Sequence, residues 1–261
     1  MTLTLKSSAE NQGIDVTLGR SYVYLWLSRG FRYPDTDLVA SLKEPAFTLL
    51  EARLELLAEG VREAARAALA SLQAVSRDLD LAETQSEHRR VFGHIESSLC
   101  PPYETRYGST HLFQQTQQLS DIAGFYRAFG LDVSDDAKER PDHLAVELEF
   151  LHFLCFKEAY ALEHHGTEQA ELCRDAEVKF LQDHLLPWAP SFARRLQDAA
   201  GSGFYKSLGI LMATFLSTEE ARLGCHPADE AALQPIAFLP EGCSFSCGQG
   251  GQSVDDIISE R

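Results

Sequence analysis

Apolar side chains recur at three- and four-residue spacing through most of this chain, the pattern of helices that bury one face. Phe47, Leu50, Leu54, Leu57 and Val61 form one stripe. Ala65, Leu69, Leu72, Val75 and Leu79 form the next, with Arg and Glu filling the other faces and an interruption or kink expected near Gly60. Upstream, Tyr22, Val23, Trp26 and Leu27 make a further stripe, which Gly30 and Pro34 should end. Leu81 to Ile95 reads as a short helix, followed by a loop from Glu96 to Tyr103 that contains Pro101-Pro102.

The second half repeats the pattern. Leu112, Leu119, Ile122, Tyr126 and Phe129 share a face that Gly130 stops, in the place of a left-handed cap. Pro141 suits a first helical turn, and Asp142 beside it suits the positive end of the helix dipole. From Phe150 to Phe156 the helix is apolar on nearly every face, which predicts a central, buried element. Thr167 is positioned to cap a helix running to about Leu186, which Pro187 and Pro190 should break, leaving Phe192 to Ala199 as a short successor. Gly201-Ser202-Gly203 is a turn before a last helix from Phe204 to about Arg222.

No segment alternates at period two and no hairpin signal appears, so the expected fold is all-α. The reading is a single helical domain of about ten helices over residues 1–224, followed by an irregular extension over 225–261. That extension holds six acidic residues against Arg261 alone, together with Gly248, Gly250 and Gly251.

Charge narrows the function. With 23 Lys+Arg against 39 Asp+Glu, the 261-residue chain has a formal charge of −16 and no basic cluster beyond Arg89-Arg90 or Arg194-Arg195, which argues against nucleic-acid binding. The longest apolar stretch, Leu208 to Leu216, falls well short of a membrane span, and the first ten residues lack a signal-peptide core. A cytoplasmic location is the expectation. Six cysteines without a single CxxC point to reduced thiols rather than a disulfide scaffold.

Four constellations invite chemistry. Glu149-Phe150-Leu151-His152 has the Glu-x-x-His spacing of a di-iron helix, but no second copy exists, and a hydrogen-bonded core histidine serves equally. Cys225-His226, Cys243 and Cys247 could supply zinc ligands, although their spacing matches no usual finger. Cys100 has no base near it in sequence. The segments Pro102-Tyr103-Glu104-Thr105-Arg106-Tyr107-Gly108 and Glu139-Arg140-Pro141-Asp142-His143 concentrate aromatic and charged side chains, which fits either a binding loop or a helix cap.

Three ordered blocks carry a resemblance. They are Asp121 to Leu131 (DIAGFYRAFGL), Arg140-Pro141-Asp142-His143-Leu144 leading to Glu147-Leu148-Glu149-Phe150-Leu151, and Phe180 to Trp188 (FLQDHLLPW). Together they resemble the TorD/DmsD/NarJ family of redox-enzyme maturation chaperones, with the likeness running from about Tyr22 to Arg222. The resemblance implies a non-catalytic, all-helical chaperone that uses no cofactor or metal of its own. Its partner would be the apo catalytic subunit of a dimethyl-sulfoxide-reductase-type molybdenum enzyme and that subunit's twin-arginine signal peptide, held back from export until the cofactor is loaded. Carried over by motif, Asp142 and His143 stand at the family's Asp-His, Val91 and Phe92 at its Leu-Phe pair, and Tyr103 and Glu104 in its proline-tyrosine-glutamate loop. With Tyr126 of the first block these are the expected client-binding residues. His88 replaces the aromatic that usually opens the Leu-Phe motif. A helical metal- or cofactor-binding enzyme using Glu149, His152 or the tail cysteines is the competing reading.

Overall fold

The computed structural model describes residues 8–41, 46–55, 59–93, 100–107, 112–134, 139–200 and 203–225. Among them lie ten α-helices: α1 (Ser8–Phe31), α2 (Thr36–Ser41), α3 (Ala46–Leu54), α4 (Glu59–Ser76), α5 (Leu81–Phe92), α6 (Leu112–Ala128), α7 (Leu144–His164), α8 (Thr167–Phe180), α9 (Leu186–Ala199) and α10 (Phe204–Leu223). A 3-10 turn spans Glu104–Arg106 and a π-helical turn spans Leu181–Leu185. Leu57, residues 94–99 with Ile95 among them, Gly201-Ser202, His226, Cys243 and Cys247 fall outside the described residues.

α7 is the central element, as its apolar surface predicts. It packs along α1 on one side and α8 on the other, while α10 lies against α9 and α4, and α3 covers α1. Leu144, Leu148, Phe150, Leu151 and Leu154 of α7 are all buried in the shared core. At about 1.5–3 kcal/mol for each large apolar side chain, that burial outweighs any local helix propensity.

α1 ends at Phe31, between Gly30 and Pro34 as the sequence predicts, while three other expectations are corrected. A Cβ at Gly30 would stand 3.0 Å from both methyls of Leu208, so the glycine serves the close crossing of α1 and α10. Thr167 is not the cap of α8: Gly166 holds that place, at φ 100°. Pro141 and Asp142 precede α7 rather than forming its first turn, and the cap is His143, whose Nδ1 accepts from the Ala145 N–H at 3.1 Å.

The third concerns Pro187 and Pro190, which do not break the helical path. The Leu186 N–H reaches back to the Leu181 carbonyl, a wider turn than an α-helix makes, and α9 then starts with Pro187 in its first turn, where a missing N–H costs least. Pro190 sits inside α9, at a cost of about 3 kcal/mol. Leu185, Leu186, Trp188 and Phe192 are buried around it, and their packing exceeds that cost.

Gly130 does take a left-handed conformation, at φ 73°. The Leu131 N–H returns to the Tyr126 carbonyl at 2.9 Å, closing α6 with a Schellman-type cap.

An ionic cluster fixes how the long helices meet. Arg20 of α1 is fully buried, and its Nε donates to both oxygens of Glu219 in α10 at 2.8 Å. Its Nη2 also meets Glu177 of α8, and Nη1 lies 3.8 Å from Glu158 of α7. Arg174 pairs with Glu158 and Arg222 with Glu219, so three guanidinium groups face three carboxylates. The Tyr24 hydroxyl donates to Glu219 at 3.0 Å.

Candidate functional site

Two motifs distant in sequence close into one unit. The Glu104 N–H donates to the Asp142 carbonyl at 3.0 Å and the Leu144 N–H to the Pro102 carbonyl at 2.9 Å, which pairs Tyr103 with His143 as an antiparallel bridge. The buried Asp142 carboxylate accepts from the Thr105 N–H (3.2 Å) and hydroxyl (2.7 Å), and from Arg140 Nε (2.9 Å) and Nη2 (2.8 Å). Arg140 also lies over the Tyr103 ring, 5.0 Å from its centre, and the same ring meets His143 edge-on at 5.2 Å. Burial, aided by the charges of His88, Arg32 and Arg140, lowers the His143 pKa to about 3, so its imidazole stays neutral and its Nδ1 free to cap α7.

Beneath this unit lies a second polar layer. Glu104 Oε1 accepts from Gln118 at 2.5 Å and stands 3.2 Å from Nδ1 of His184, which the π turn aims inward. Trp188 Nε1 donates to Glu147 at 3.3 Å. Burial pushes the Glu147 carboxyl far above the usual range, and the neighbouring Glu104 carboxylate pushes it further. Oε1 of Glu147 and Oε2 of Glu104 are both buried without a donor among the described residues. The Tyr126 hydroxyl donates to the Pro141 carbonyl at 2.8 Å, tying α6 to the same loop.

A cleft of about 690 Å³ opens beside the start of α7. Val146, Phe150 and Phe153 of α7, with Leu131 and Val133 after α6, form its apolar walls. Asp35, Asp132, Glu139 and Glu149 place four carboxylates around it, against the one guanidinium, that of Arg32, among its described lining residues. Arg32 and Glu149 form an ion pair across the cleft, with both side chains about half exposed. His152 also borders the cleft, but its Nδ1 is within 2.8 Å of the Ser21 hydroxyl.

The sequence-derived residues divide accordingly. Tyr103, Glu104, Tyr126, Asp142 and His143 come together, yet Glu104, Tyr126, Asp142 and His143 are buried, and only Tyr103 is half-buried. Tyr126 alone of these five reaches the cleft wall. Val91 and Phe92 are placed elsewhere, in the core, where Phe92 lies against Tyr205 (5.1 Å between ring centres) and Phe192 (6.2 Å). The structure therefore does not put Val91 and Phe92 on a groove: α5 turns that face inward to complete the core. His88 takes an aromatic's place there, its ring 4.7 Å from Phe92 and 5.2 Å from Tyr33.

Other candidates have structural engagements. The Glu149-x-x-His152 pair is committed to Arg32 and Ser21, and among the described residues no group of three His, Cys, Asp or Glu is arranged to hold a metal. Burial pushes the Cys100 thiol up to about 12, far from a reactive thiolate. Cys225 is buried at the end of α10, where it closes the core. Among the described residues no helix is long and apolar enough to cross a membrane. Arg32, Asp35 and Asp132 were not singled out by sequence. Single charges at helix ends carry no motif, and only the fold gathers them.

The all-helical body, with its Asp-His corner zipped to a proline-tyrosine-glutamate turn, brings together the motifs that carry the sequence resemblance. Residues 56–194 match the family model described as nitrate reductase delta subunit, and the chain belongs to that family. Its relatives include the perchlorate reductase assembly chaperone protein of Dechloromonas aromatica, 29% identical over 82% of this chain and 93% of that one. The chlorate reductase assembly chaperone protein of Ideonella dechloratans is 35% identical over 44% of this chain and 58% of its own length. The chaperone protein TorD of Vibrio parahaemolyticus is 26% identical over 78% of this chain and 94% of that one.

Proposed function

We propose that this protein is a cytoplasmic assembly chaperone for the catalytic subunit of a molybdenum enzyme of the dimethyl-sulfoxide-reductase type. In this reading it grips that subunit before the cofactor is loaded, holds its twin-arginine signal peptide, and delays export. The observation that carries it is the cleft beside α7, with apolar walls and four carboxylates. A twin-arginine signal is basic at its start and modestly apolar beyond, so the two surfaces are complementary. Family membership and the assembly-chaperone names of the relatives support the same conclusion.

Magnitudes divide the labour. Each fully buried Leu or Phe of a client contributes about 1.5–3 kcal/mol, so several are needed against an association cost of about 4–15 kcal/mol. Exposed ion pairs add about 0–1 kcal/mol each, and they govern register and approach instead. The chain's −16 charge favours a basic client from a distance. The motif residues Asp142, His143, Tyr103 and Glu104 act in this reading by holding the cleft's rim in shape.

The test is titration of a synthetic peptide, adjacent arginines followed by an apolar stretch, into the full chain. Binding should weaken when Asp132 and Glu139 are both changed to Lys, while the melting temperature stays within a few degrees. Equal affinity before and after that charge reversal would remove the cleft from the reading.

A further inference from the structure

The guanidinium in the cleft belongs to the protein itself. Arg32 follows the last residue of α1, with its N–H returning to the Arg29 carbonyl at 3.3 Å, and its side chain reaches across to Glu149 on α7. It acts on a second carboxylate too: burial raises the Glu139 pKa and the Arg32 charge pulls it back. Arg32, Glu139 and Glu149 all line the one cleft, over the apolar walls of Val146, Phe150 and Phe153.

This ion pair is poorly explained as a stabilising device. The Arg32 and Glu149 side chains are 51% and 47% exposed, a setting in which such pairs contribute little and open readily. Opening it requires no loss of helix, because Arg32 lies beyond α1. The arrangement nevertheless demonstrates that the cleft accommodates a guanidinium next to Glu149. The planar fork of an arginine suits paired carboxylate oxygens in a way a lysine does not.

We infer that Arg32 is an internal stand-in for a client arginine: it occupies the Glu139–Glu149 site in the empty chaperone, and an incoming arginine displaces it. The inference rests on the reading that this cleft grips an arginine-bearing client segment. Displacement makes the site selective. An isolated lysine has no fork with which to compete, whereas an arginine carried on an apolar segment exchanges one guanidinium for another and gains the burial of that segment. Occupation by Arg32 also lowers the apparent affinity by the fraction of molecules in which the site is closed.

The test uses full-length protein and the same arginine-containing peptide, with a version carrying two lysines in place of the two arginines. Arg32→Gln should tighten the arginine peptide measurably, by up to about fivefold, the ceiling that an exposed pair of at most about 1 kcal/mol sets. Glu149→Gln should weaken it, and adding Arg32→Gln to Glu149→Gln should give no gain. Arg29→Gln removes the same charge from an exposed position of α1 that does not line the cleft, and should give a smaller effect that vanishes at high salt. The gain from Arg32→Gln should be smaller for the lysine peptide. If the unaltered chain binds the peptide but Arg32→Gln leaves affinity unchanged, or Arg29→Gln matches its gain, the stand-in role is wrong and the client reading stands. If the unaltered chain binds no peptide, the client reading of the cleft falls, and this inference falls with it.

Discussion

The buried carboxylate of Asp142 accepts both the backbone N–H and the hydroxyl of Thr105, 37 residues away, and so welds the turn before α6 to the turn before α7. Arg140 closes the same carboxylate from the solvent side, half exposed. The Asp-His corner is therefore a fastening, with the cleft beside it.

Asp142→Ala should lower stability by about 3 kcal/mol, since it removes hydrogen bonds to an ionised acceptor and strands the Thr105 donors. Thr105→Val removes one donor and should cost about 1 kcal/mol. Urea unfolding of both variants and of the pair should show coupling, because the two changes delete one shared interaction. Independent, additive losses would dissolve the fastening.

Phe92→Ala should cost about 3–5 kcal/mol, the range for an aromatic side chain removed from a core. Peptide affinity per folded molecule should be unchanged, because Phe92 faces Tyr205 and Phe192 rather than the cleft. A stable variant with lost binding would return Phe92 to a groove.

Stability should depend on pH through two buried groups with opposite signs. His143 has its pKa lowered from 6.5 to about 3. Below pH 6.5 the unfolded chain takes up a proton that the folded chain refuses, so stability falls toward pH 3, by up to about 1.4 kcal/mol per pH unit. His143→Asn keeps a capping acceptor and should flatten that acid limb. The Glu147 carboxyl is raised well above 4.5, so above that pH the unfolded chain releases a proton the folded chain retains, and stability falls as pH rises. Glu147→Gln should flatten this second limb and gain stability at pH 8. Chemical denaturation from pH 4 to pH 8 reads both, and unchanged slopes would contradict the assignment.

Arg20→Leu leaves Glu158, Glu177 and Glu219 buried without their central partner, and should destabilise by about 3–5 kcal/mol. Arg174 and Arg222 still reach two of the three carboxylates, so the variant should fold at reduced temperature. Its melting temperature should rise as pH drops from 7 to 5 and Glu177, the carboxylate left without a guanidinium, takes up a proton. A variant as stable as the parent at pH 7 would show the cluster to be dispensable.

The helical class was legible in the chain because period-3.6 stripes are a local property: the Leu112–Phe129 face and the all-round apolar α7 each predict a helix and each is one, while the Phe47–Val61 stripe is shared between α3 and the start of α4. The Gly130 cap was legible for the same reason, since a left-handed residue at a helix end depends on its immediate neighbours. The family resemblance put Tyr103, Glu104, Asp142 and His143 in one candidate site, and the fold brings them side by side. Their spacing could not reveal that they are buried, because burial depends on what packs over them. Pro187 carries a strong local stop signal, yet α8 runs through a π turn into α9. There tertiary packing contributes more than the local preference opposes. Phe92 looked like a binding residue and became core because α5 faces Tyr205 and Phe192. Arg32, Asp35 and Glu149 have no shared pattern in the sequence: the cleft exists only where the end of α1 meets the start of α7, and long-range packing alone brings those charges to one wall.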